Sequence, residues 1–420
     1  MLARFVMVAV LLPATVLGLR AGGSSASGVA RPNAATSGYW HTAGDRIVDA
    51  AGRTVRIAAV NWFGFDDRYE VPEGLQKRSL DSIASQIKSL GFNAIRLPFS
   101  NQAIERDPVV TRHLDANPEM MGLHTLQIMD RVVAAAQRFG LRVILDDARS
   151  NAGDGPDLSG LWYTPAYPEN AWIHDWRVLA TRYRGNPTVI GVDLRNEPHT
   201  RGYGPWSIRT YLTQGATWGP YRGVEQPRTD WRLAAERAGR AIQAVNPHLL
   251  IIVEGIQQYP DPKQPGGVDS SWWGSMVSPA VTYPVRLPVA HQLVYSPHEY
   301  GPFKHSMRYF TKVSTYTSLV STWQRHWGSL MTARGGTPIL LGEFGTCSQA
   351  RCARDSSRGS QGLWFQYLMQ FLKTHPQVGW AFWALDGTDA RGRDLKNDLL
   401  RADWKTIRQP EVMNALKGVE

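Results

Sequence analysis

Short apolar runs alternate with longer amphipathic segments along most of this chain, and this pattern constrains the fold more than any other feature. The longer segments have helical periodicity, as in Leu80–Leu90, Leu123–Phe139 and Asp230–Val245. Strands that alternate with helices predict a parallel sheet with crossover helices, and eight such units favour a closed (β/α)8 barrel over an open sheet. The eight predicted strands are Val55–Val60, Ala94–Pro98, Arg142–Asp146, Val189–Leu194, Leu249–Val253, Gln292–Ser296, Pro338–Leu341 and Gly379–Trp383.

Local signals at the ends of the predicted elements agree with this fold. Gly91 and Gly140 directly follow two of the helical patterns, where glycine commonly ends a helix. A hairpin around Tyr39–Ile47 precedes the first strand, and we expect it to close the bottom of the barrel. The length of 420 residues suits one large barrel with insertions.

The N-terminus resembles an export signal. Arg4 is followed by an apolar stretch from Phe5 to Leu19 and then by small residues. The alternative is an uncleaved membrane anchor, but the stretch is shorter than the roughly 20 residues that a spanning helix needs. We therefore predict a signal peptide over residues 1–28, a short linker over 29–37 and one folded domain over 38–420. The mature protein is predicted to be secreted, with no stable membrane association.

Composition excludes some functions and leaves others open. The net charge is +10, but the basic residues are scattered singly and form no nucleic-acid motif, so no nucleic-acid partner is expected. The chain contains 16 Trp, 15 Tyr and 12 Phe, which suit either core packing or sugar-stacking surfaces. We expect a monomer.

Polar residues gather where the predicted strands end. In a barrel these carboxyl ends converge on one face, where active sites form. Glu197 follows the fourth strand and Glu343 follows the seventh, each beside turn-forming residues. Two such carboxyl groups are what hydrolysis of a glycosidic bond requires, one as proton donor and one as nucleophile. The alternative is a structural ion pair with Arg96 or Arg195.

The ordered set of strand-end motifs resembles glycoside hydrolase family 5, a family of retaining β-glycosidases. The resemblance covers the chain from about Gly38 to about Trp404. Within the family, the chain is similar to bacterial endo-β-1,4-glucanases. It rests on Val60-Asn61-Trp62-Phe63-Gly64, Ile95-Arg96-Leu97-Pro98, Asn196-Glu197-Pro198, Asp230-Trp231-Arg232-Leu233-Ala234-Ala235-Glu236-Arg237, Ser296-Pro297-His298-Glu299-Tyr300-Gly301, Glu343-Phe344-Gly345 and Trp383.

The resemblance implies a role for each matching residue. Glu197 would be the acid/base and Glu343 the nucleophile, with a polysaccharide or oligosaccharide as the substrate and no metal or other cofactor. Arg96 would keep the nucleophile ionised, and Tyr300 would hydrogen-bond to it. Asn196 would contact the 2-hydroxyl of the sugar, and His298 would contact the acid/base or the sugar. Trp383 would contact the sugar ring at the cleavage point, and Trp62 would contact an outer sugar.

One departure from the family pattern concerns the third strand. Ala148 stands where related glucanases usually carry a histidine that contacts the sugar, and Asp147 or Arg149 are the candidates to replace that contact. The leading interpretation is an endo-β-1,4-glucanase. The alternatives are a β-mannanase, a xyloglucanase or an exo-β-glucosidase and, outside enzymes, an inactive carbohydrate-binding protein, although both glutamates are present.

Two further segments carry predictions. The segment 199–229 is long and rich in aromatic residues, and it either walls the cleft or is a surface insertion. Cys347 and Cys352 are the two cysteines of the chain and lie after the seventh strand. We predict a disulfide between them, with two free thiols as the alternative.

Overall fold

The computed structural model of the protein describes residues 38–202, 204, 206–302, 309–333, 335–346 and 352–420. The strands are β1 His41–Ala43, β2 Arg46–Val48, β3 Ala58–Asn61, β4 Ala94–Ser100, β5 Arg142–Arg149, β6 Val189–Asp193, β7 Leu250–Glu254, β8 Gln258–Pro260, β9 Val268–Ser270, β10 Leu293–Ser296, β11 His298–Glu299, β12 Leu340–Phe344 and β13 Gly379–Phe382. The α-helices are α1 Leu80–Ser89, α2 Asn101–Arg106, α3 Thr125–Arg138, α4 Glu169–Arg182, α5 Ile208–Thr213, α6 Trp231–Gln243, α7 Tyr316–Trp323, α8 Ser329–Thr332, α9 Gln361–Thr374 and α10 Pro410–Lys417.

The central sheet is a closed barrel of parallel strands. Its order is β10-β7-β6-β5-β4-β3-β13-β12-β11. The two ends of this order, β10 and β11, are consecutive in the chain and are separated only by Pro297. β10 pairs with β7 and β11 pairs with β12, so they are two halves of the sixth barrel strand. Pro297 has no N–H to donate to a neighbouring strand, but its carbonyl accepts a hydrogen bond from Gly342 at 3.2 Å. The sheet therefore closes, and the predicted eight-stranded barrel is confirmed.

The predicted strands and helices match the observed ones, with differences at their ends. β4 and β5 run on to Ser100 and Arg149, and β12 begins at Leu340 and runs to Phe344. These strands continue past their apolar stretches into polar residues, which a hydrophobic pattern alone does not mark as strand. Gly91 and Gly140 have positive φ angles of 104° and 66°, as expected for glycines that follow a helix.

The bottom of the barrel is filled by apolar side chains and closed by the N-terminal hairpin. β1 and β2 pair antiparallel, and Trp40 and Ile47 are buried against the barrel interior. The Arg142 guanidinium, at the start of β5, lies 5.5 Å from the centre of the Trp40 ring. The predicted closing role of the hairpin is therefore confirmed. The other buried members of this interior cluster are Ile57, Ala59, Ala94, Ile144, Ile190, Leu250, Ile252, Val294, Leu340 and Ala381.

The helices cover the outside of the barrel with one apolar face each. In α1 the buried residues are Leu80, Ile83, Ala84 and Ile87, a spacing that places them on one side of the helix. Among the described residues, we find no helix with the length and apolar character needed to cross a membrane. The predicted signal peptide and linker, residues 1–37, lie outside the described residues.

Candidate active site

The upper end of the barrel is organised around one buried guanidinium. Arg96, on β4, is fully buried, so its charge must be met by other side chains. Four carboxylates and two amide side chains surround it within hydrogen-bond or ion-pair distance. These are Asp146 at 3.0 Å, Asp193 at 3.0 Å, Glu254 at 2.9 Å, Glu343 at 3.0 Å, Asn61 at 3.0 Å and Asn196 at 3.0 Å. They come from five different barrel strands or the residues that follow them, so the barrel assembles this charge cluster.

Glu343 is held from both sides at the end of β12. Its Oε1 accepts a hydrogen bond from Arg96 and its Oε2 accepts one from the Tyr300 hydroxyl at 2.8 Å. Asn61 fixes the surrounding backbone, because its Nδ2 donates to the carbonyls of Gly342 and Phe382, both at 3.2 Å. The carboxylate is thus ionically paired, oriented and almost fully buried.

Glu197 is held by its backbone as well as by its carboxylate. Its φ angle is 49°, a left-handed conformation that costs a non-glycine residue energy and needs support from its surroundings. That support comes from Glu254, whose Oε2 accepts a hydrogen bond from the Glu197 N–H at 2.7 Å. The Glu197 Oε1 accepts a hydrogen bond from Trp272 Nε1 at 2.6 Å and lies 3.0 Å from His298 Nδ1.

His298 lies between three carboxylates. Its Nδ1 faces Glu197 and lies 3.7 Å from Glu343, and its Nε2 lies 3.1 Å from Glu254. Burial on its own would lower the pKa of His298, but the negative charges of Glu254 and Glu343 outweigh burial and raise this pKa well above its usual value. This direction favours the protonated ring, with Nδ1 donating to the Glu197 Oε1 and Nε2 in ion-pair contact with Glu254.

The two glutamates are close enough to act on one bond. A carboxylate oxygen of Glu197 and one of Glu343 lie within 4.8 Å of each other, with His298 between them. Retaining glycosidases place the two carboxyl groups about 5–5.5 Å apart, whereas inverting enzymes need roughly 6.5–9.5 Å to fit a water molecule. The separation suits direct attack by one carboxylate and proton transfer by the other.

Both glutamates open into a cleft of about 720 Å³. Trp383 lines it and stacks on Phe63, with the ring centres 5.8 Å apart. Trp272 and Trp273 also line it, and His199 stacks on Trp273 at 3.9 Å. The cleft therefore offers several flat aromatic faces beside the carboxylates, which is the arrangement that a sugar ring can stack on.

The structure brings most of the predicted site residues together, with one correction. Arg96, Asn196, His298, Tyr300 and Trp383 all surround the two glutamates, although Arg96 and His298 are fully buried behind the carboxylates rather than exposed to a substrate.

Trp62 lies elsewhere. Its side chain is fully buried in the core outside the barrel, and its Nε1 donates to the Glu73 carbonyl at 2.9 Å. It does not line the cleft, so the expected contact with an outer sugar is corrected to a packing role.

The third strand shows why the usual histidine has no simple replacement. Ala148 lines the cleft. Asp147 faces away from it, since its carboxylate is buried and bonds to Arg195 and Asn101. Arg149 donates to backbone carbonyls of its own loop. Asp147 is thus excluded as the substitute for the histidine, and the Arg149 guanidinium is hydrogen-bonded to its own loop.

Glu254, Asp193 and Asp146 have no predicted role, although each lies at the end of an apolar stretch. The curvature of the sheet brings them to Arg96 from the three strands next to β4. It also creates two groups of possible metal-ligand atoms among the described residues, Glu197 with His298 and Glu343, and Asp146 with Asp193 and Glu254. Arg96 and His298 already supply positive charge to these groups. The expectation of a site that needs no metal stays a prediction.

Gly342 occupies a position that no larger residue can fill. A Cβ atom built there would lie 2.4 Å from the Ser296 hydroxyl and 2.9 Å from His298 Nε2. The residue before the proposed nucleophile is therefore glycine because the sixth strand packs directly against it.

Two other predicted features are resolved in part. In the segment 199–229, Trp218 is buried and donates to the Tyr283 carbonyl at 2.9 Å. None of the described residues of this segment lines the cleft, which favours a surface insertion, with His199 supporting Trp273 from behind.

Cys347 lies outside the described residues, so its bridge to Cys352 stays a prediction.

Comparison with known proteins places this geometry in a family. The family model for cellulase, glycosyl hydrolase family 5, matches residues 48–389. The chain belongs to glycosyl hydrolase family 5. It is a glycosidase with the family's barrel, and the resemblance derived from the strand-end motifs is confirmed.

The family-5 relatives include two bacterial enzymes. An endoglucanase of Paenibacillus polymyxa is 37% identical over 90% of this chain and 86% of its own length. The major extracellular endoglucanase of Xanthomonas campestris pv. campestris is 34% identical over 87% of this chain and 68% of its own length. Among solved structures, an endocellulase from Pyrococcus horikoshii in complex with cellotetraose has a TM-score of 0.77 and 34% identity, covering 91% of this chain and 98% of that one.

Proposed function

We propose that this protein is a retaining endo-β-1,4-glucanase that cleaves β-glucan by double displacement. The observation that carries the proposal is the pair Glu197 and Glu343, whose oxygens lie within 4.8 Å in an aromatic-lined cleft. Endoglucanases among the family-5 relatives support the choice of substrate.

In the first step Glu343 attacks the anomeric carbon while Glu197 protonates the leaving oxygen. Arg96 and the Tyr300 hydroxyl hold Glu343 ionised and aimed. Formation of the glycosyl ester removes the negative charge of Glu343. Glu197 can then accept a proton from the water that hydrolyses the ester, so the same residue acts first as acid and then as base.

Other residues would bind the sugar at the cleavage point. The Oδ1 of Asn196 is occupied by Arg96, which leaves its Nδ2 as the donor for the 2-hydroxyl. Trp383 would stack under the ring, and Trp272 would contact the leaving part of the chain because it touches Glu197. These contacts strengthen as the ring flattens in the transition state.

Loops that follow the first, third, fifth and eighth strands line the cleft, so its walls lie on several sides of the two glutamates. This arrangement suits a chain that crosses the site and favours endo action. The test is a panel of carboxymethyl cellulose, mixed-linkage β-glucan, xyloglucan, mannan and xylan. A fast fall in viscosity with few new reducing ends on the first two is expected. Preference for mannan or xyloglucan, or release of glucose alone, would move the assignment to a β-mannanase, xyloglucanase or exo-β-glucosidase.

The residue roles are tested by truncation and azide rescue. Azide should restore turnover of an activated substrate in Glu197→Ala and give the β-glycosyl azide, whereas rescue of Glu343→Ala should give the α-glycosyl azide. Glu299→Gln is the matched control. Glu299 is also a buried strand-end glutamate, but it bonds to Trp327 and Tyr309 away from the cleft. Rescue with the opposite anomers would reverse the two roles.

Export is the remaining part of the proposal. One relative is described as extracellular, which supports a cleaved signal over residues 1–28. N-terminal sequencing of protein recovered outside the cytoplasm should begin within the small-residue stretch that follows Leu19. An intact Met1 in the exported protein would contradict cleavage.

A further inference from the structure

Glu254 is a buried acid of the upper barrel to which the double-displacement mechanism gives no task. It ends β7, is fully buried, accepts two hydrogen bonds with its two oxygens and makes one ion-pair contact. Oε2 accepts from the Glu197 backbone N–H at 2.7 Å. Oε1 lies 2.9 Å from Arg96 and 3.1 Å from His298 Nε2. Burial raises the pKa of Glu254 above its usual value, whereas the charges of His298 and Arg96 act in the opposite direction and favour the carboxylate.

These contacts connect Glu254 to both ends of the acid/base. On one side it fixes the left-handed backbone of Glu197. On the other side it pairs with His298, whose Nδ1 contacts the Glu197 Oε1. We propose that Glu254 is a positioning residue for the acid/base: it holds the Glu197 backbone directly and, through His298, fixes which carboxylate oxygen of Glu197 delivers the proton.

The assignment of the oxygen follows from the donors. Oε1 of Glu197 receives hydrogen bonds from both Trp272 and His298, so an acid proton there would face two N–H groups. The transferable proton is therefore on Oε2. This depends on His298 carrying both ring protons, because a neutral ring with hydrogen only on Nε2 would accept at Nδ1 and favour a proton on Oε1.

Local packing supports a dedicated position for Glu254. Gly274 lies against it, and a Cβ at Gly274 would approach the Glu254 Oε2 to 2.4 Å and the Glu197 Cα to 3.4 Å. The groups that face His298 are Glu197 and Asp193 from the fourth strand and its end, Glu254 from the fifth and Glu343 from the seventh. Glu254 is the one whose contact is with Nε2.

The inference rests on Glu197 being the acid/base, and the experiment separates the two. Initial rates are measured with cellotetraose, which needs the acid, and with a 2,4-dinitrophenyl β-cellobioside, whose leaving group departs without protonation. Glu197→Gln should lose at least about a hundredfold in kcat/KM on cellotetraose and little on the activated substrate. Equal losses on both would overturn the proposed role of Glu197 itself.

In Glu254→Gln an NH2 group replaces one carboxylate oxygen and faces either the Glu197 N–H or the pair Arg96 and His298. We expect about a ten- to a hundredfold loss on cellotetraose and at most about a threefold loss on the activated substrate. The matched control is Asp193→Asn, which also removes a carboxylate from Arg96 but has no described hydrogen bond to Glu197 or His298. Its loss should be similar on the two substrates. If Glu254→Gln also affects both equally while Glu197→Gln does not, Glu254 is only structural and the inference fails.

A second measurement follows the His298 ring. In 15N-histidine protein, the His298 signal, assigned by its loss in His298→Gln, should stay doubly protonated well above pH 7 in the wild type. In Glu254→Gln it should lose a proton at least about one pH unit lower, because its Nε2 partner is gone. An unchanged titration in Glu254→Gln would contradict the link between the two residues.

Discussion

The two ends of the barrel are built from the same eight strands but by opposite means. At the bottom, Trp40 and Ile47 from the hairpin close an interior of aliphatic side chains. At the top, the strands continue into Arg96, His298 and the carboxylates around them. The bottom stabilises the fold by burying apolar surface, whereas the top buries charges whose desolvation offsets much of their mutual attraction. Along each strand, the residues that stabilise the fold and those that form the active site are thus only a few positions apart.

The largest expected effect is at the top of β12. Glu343→Gln should lower kcat at least about a thousandfold, because the proposed nucleophile is lost. Its free energy of unfolding should be unchanged or higher, since one of four carboxylates that share Arg96 becomes neutral. Activity assays and urea unfolding on the same preparation measure both. A large loss of stability would show that the two ends are not separable.

The opposite result is expected three residues earlier in the same strand, at Leu340 of β12. Leu340 is fully buried in the bottom cluster. Leu340→Ala should lower the free energy of unfolding by about 2–5 kcal/mol because it leaves a cavity. The kcat per folded molecule should stay within about twofold of wild type, as determined by active-site titration. A fall in kcat with retained stability would reverse the comparison.

Stability should depend on pH through the buried acids of the upper end. Burial, only partly countered by Arg96, raises the pKa of Asp193 to about 7, and burial raises the pKa of Asp147 to about 7 as well. These groups hold protons more tightly when folded, so their contribution is fully present below the unfolded value near 3.8 and is lost as the pH rises through about 7. The free energy of unfolding should therefore fall from pH 5 to pH 8.

The matched variant for this pH dependence is Asp193→Asn. In this variant the free energy of unfolding should fall less steeply with pH, and activity should be lower because Arg96 loses one of its partners. Thermal unfolding at half-unit pH intervals measures the slope in both proteins. A free energy of unfolding that rises over this range would contradict the prediction.

The smallest expected effect is at Ala148, where the cleft wall has space. Ala148→His should leave stability nearly unchanged, and kcat/KM on cellotetraose should rise by up to about tenfold if the added imidazole contacts the sugar. The ratio of cellotetraose to mannotetraose hydrolysis is the sensitive readout. No gain with normal folding would indicate a pocket adapted to a sugar other than glucose.

The fold could be predicted well because, along most strands, the spacing of the apolar residues and the positions of the polar residues indicate the same elements. The bottom cluster is a set of short apolar runs, which a hydrophobic pattern identifies directly. Glu197 and Glu343 were found because they follow such runs and match a family motif.

The errors come from side-chain direction and from distance along the chain. Successive residues at a strand end point to opposite faces, so Asn61 enters the site while Trp62 turns outward into the core. Glu254 has the pattern of an ordinary polar residue at a strand end, and the pairing of β7 with β6 brings it to Glu197. A pattern read along one strand cannot show which side chains from other strands meet it.

The tight fit at Gly342 bears on how this enzyme can be changed. A Cβ atom there would clash with Ser296 and His298, so every substitution would displace the imidazole beside the proposed acid/base. Ala148, on the opposite wall, borders open space in the same cleft. Mutant libraries aimed at new substrates should therefore yield functional variants at 148 and almost none at 342, and specificity can drift along the third strand while the reaction chemistry stays fixed.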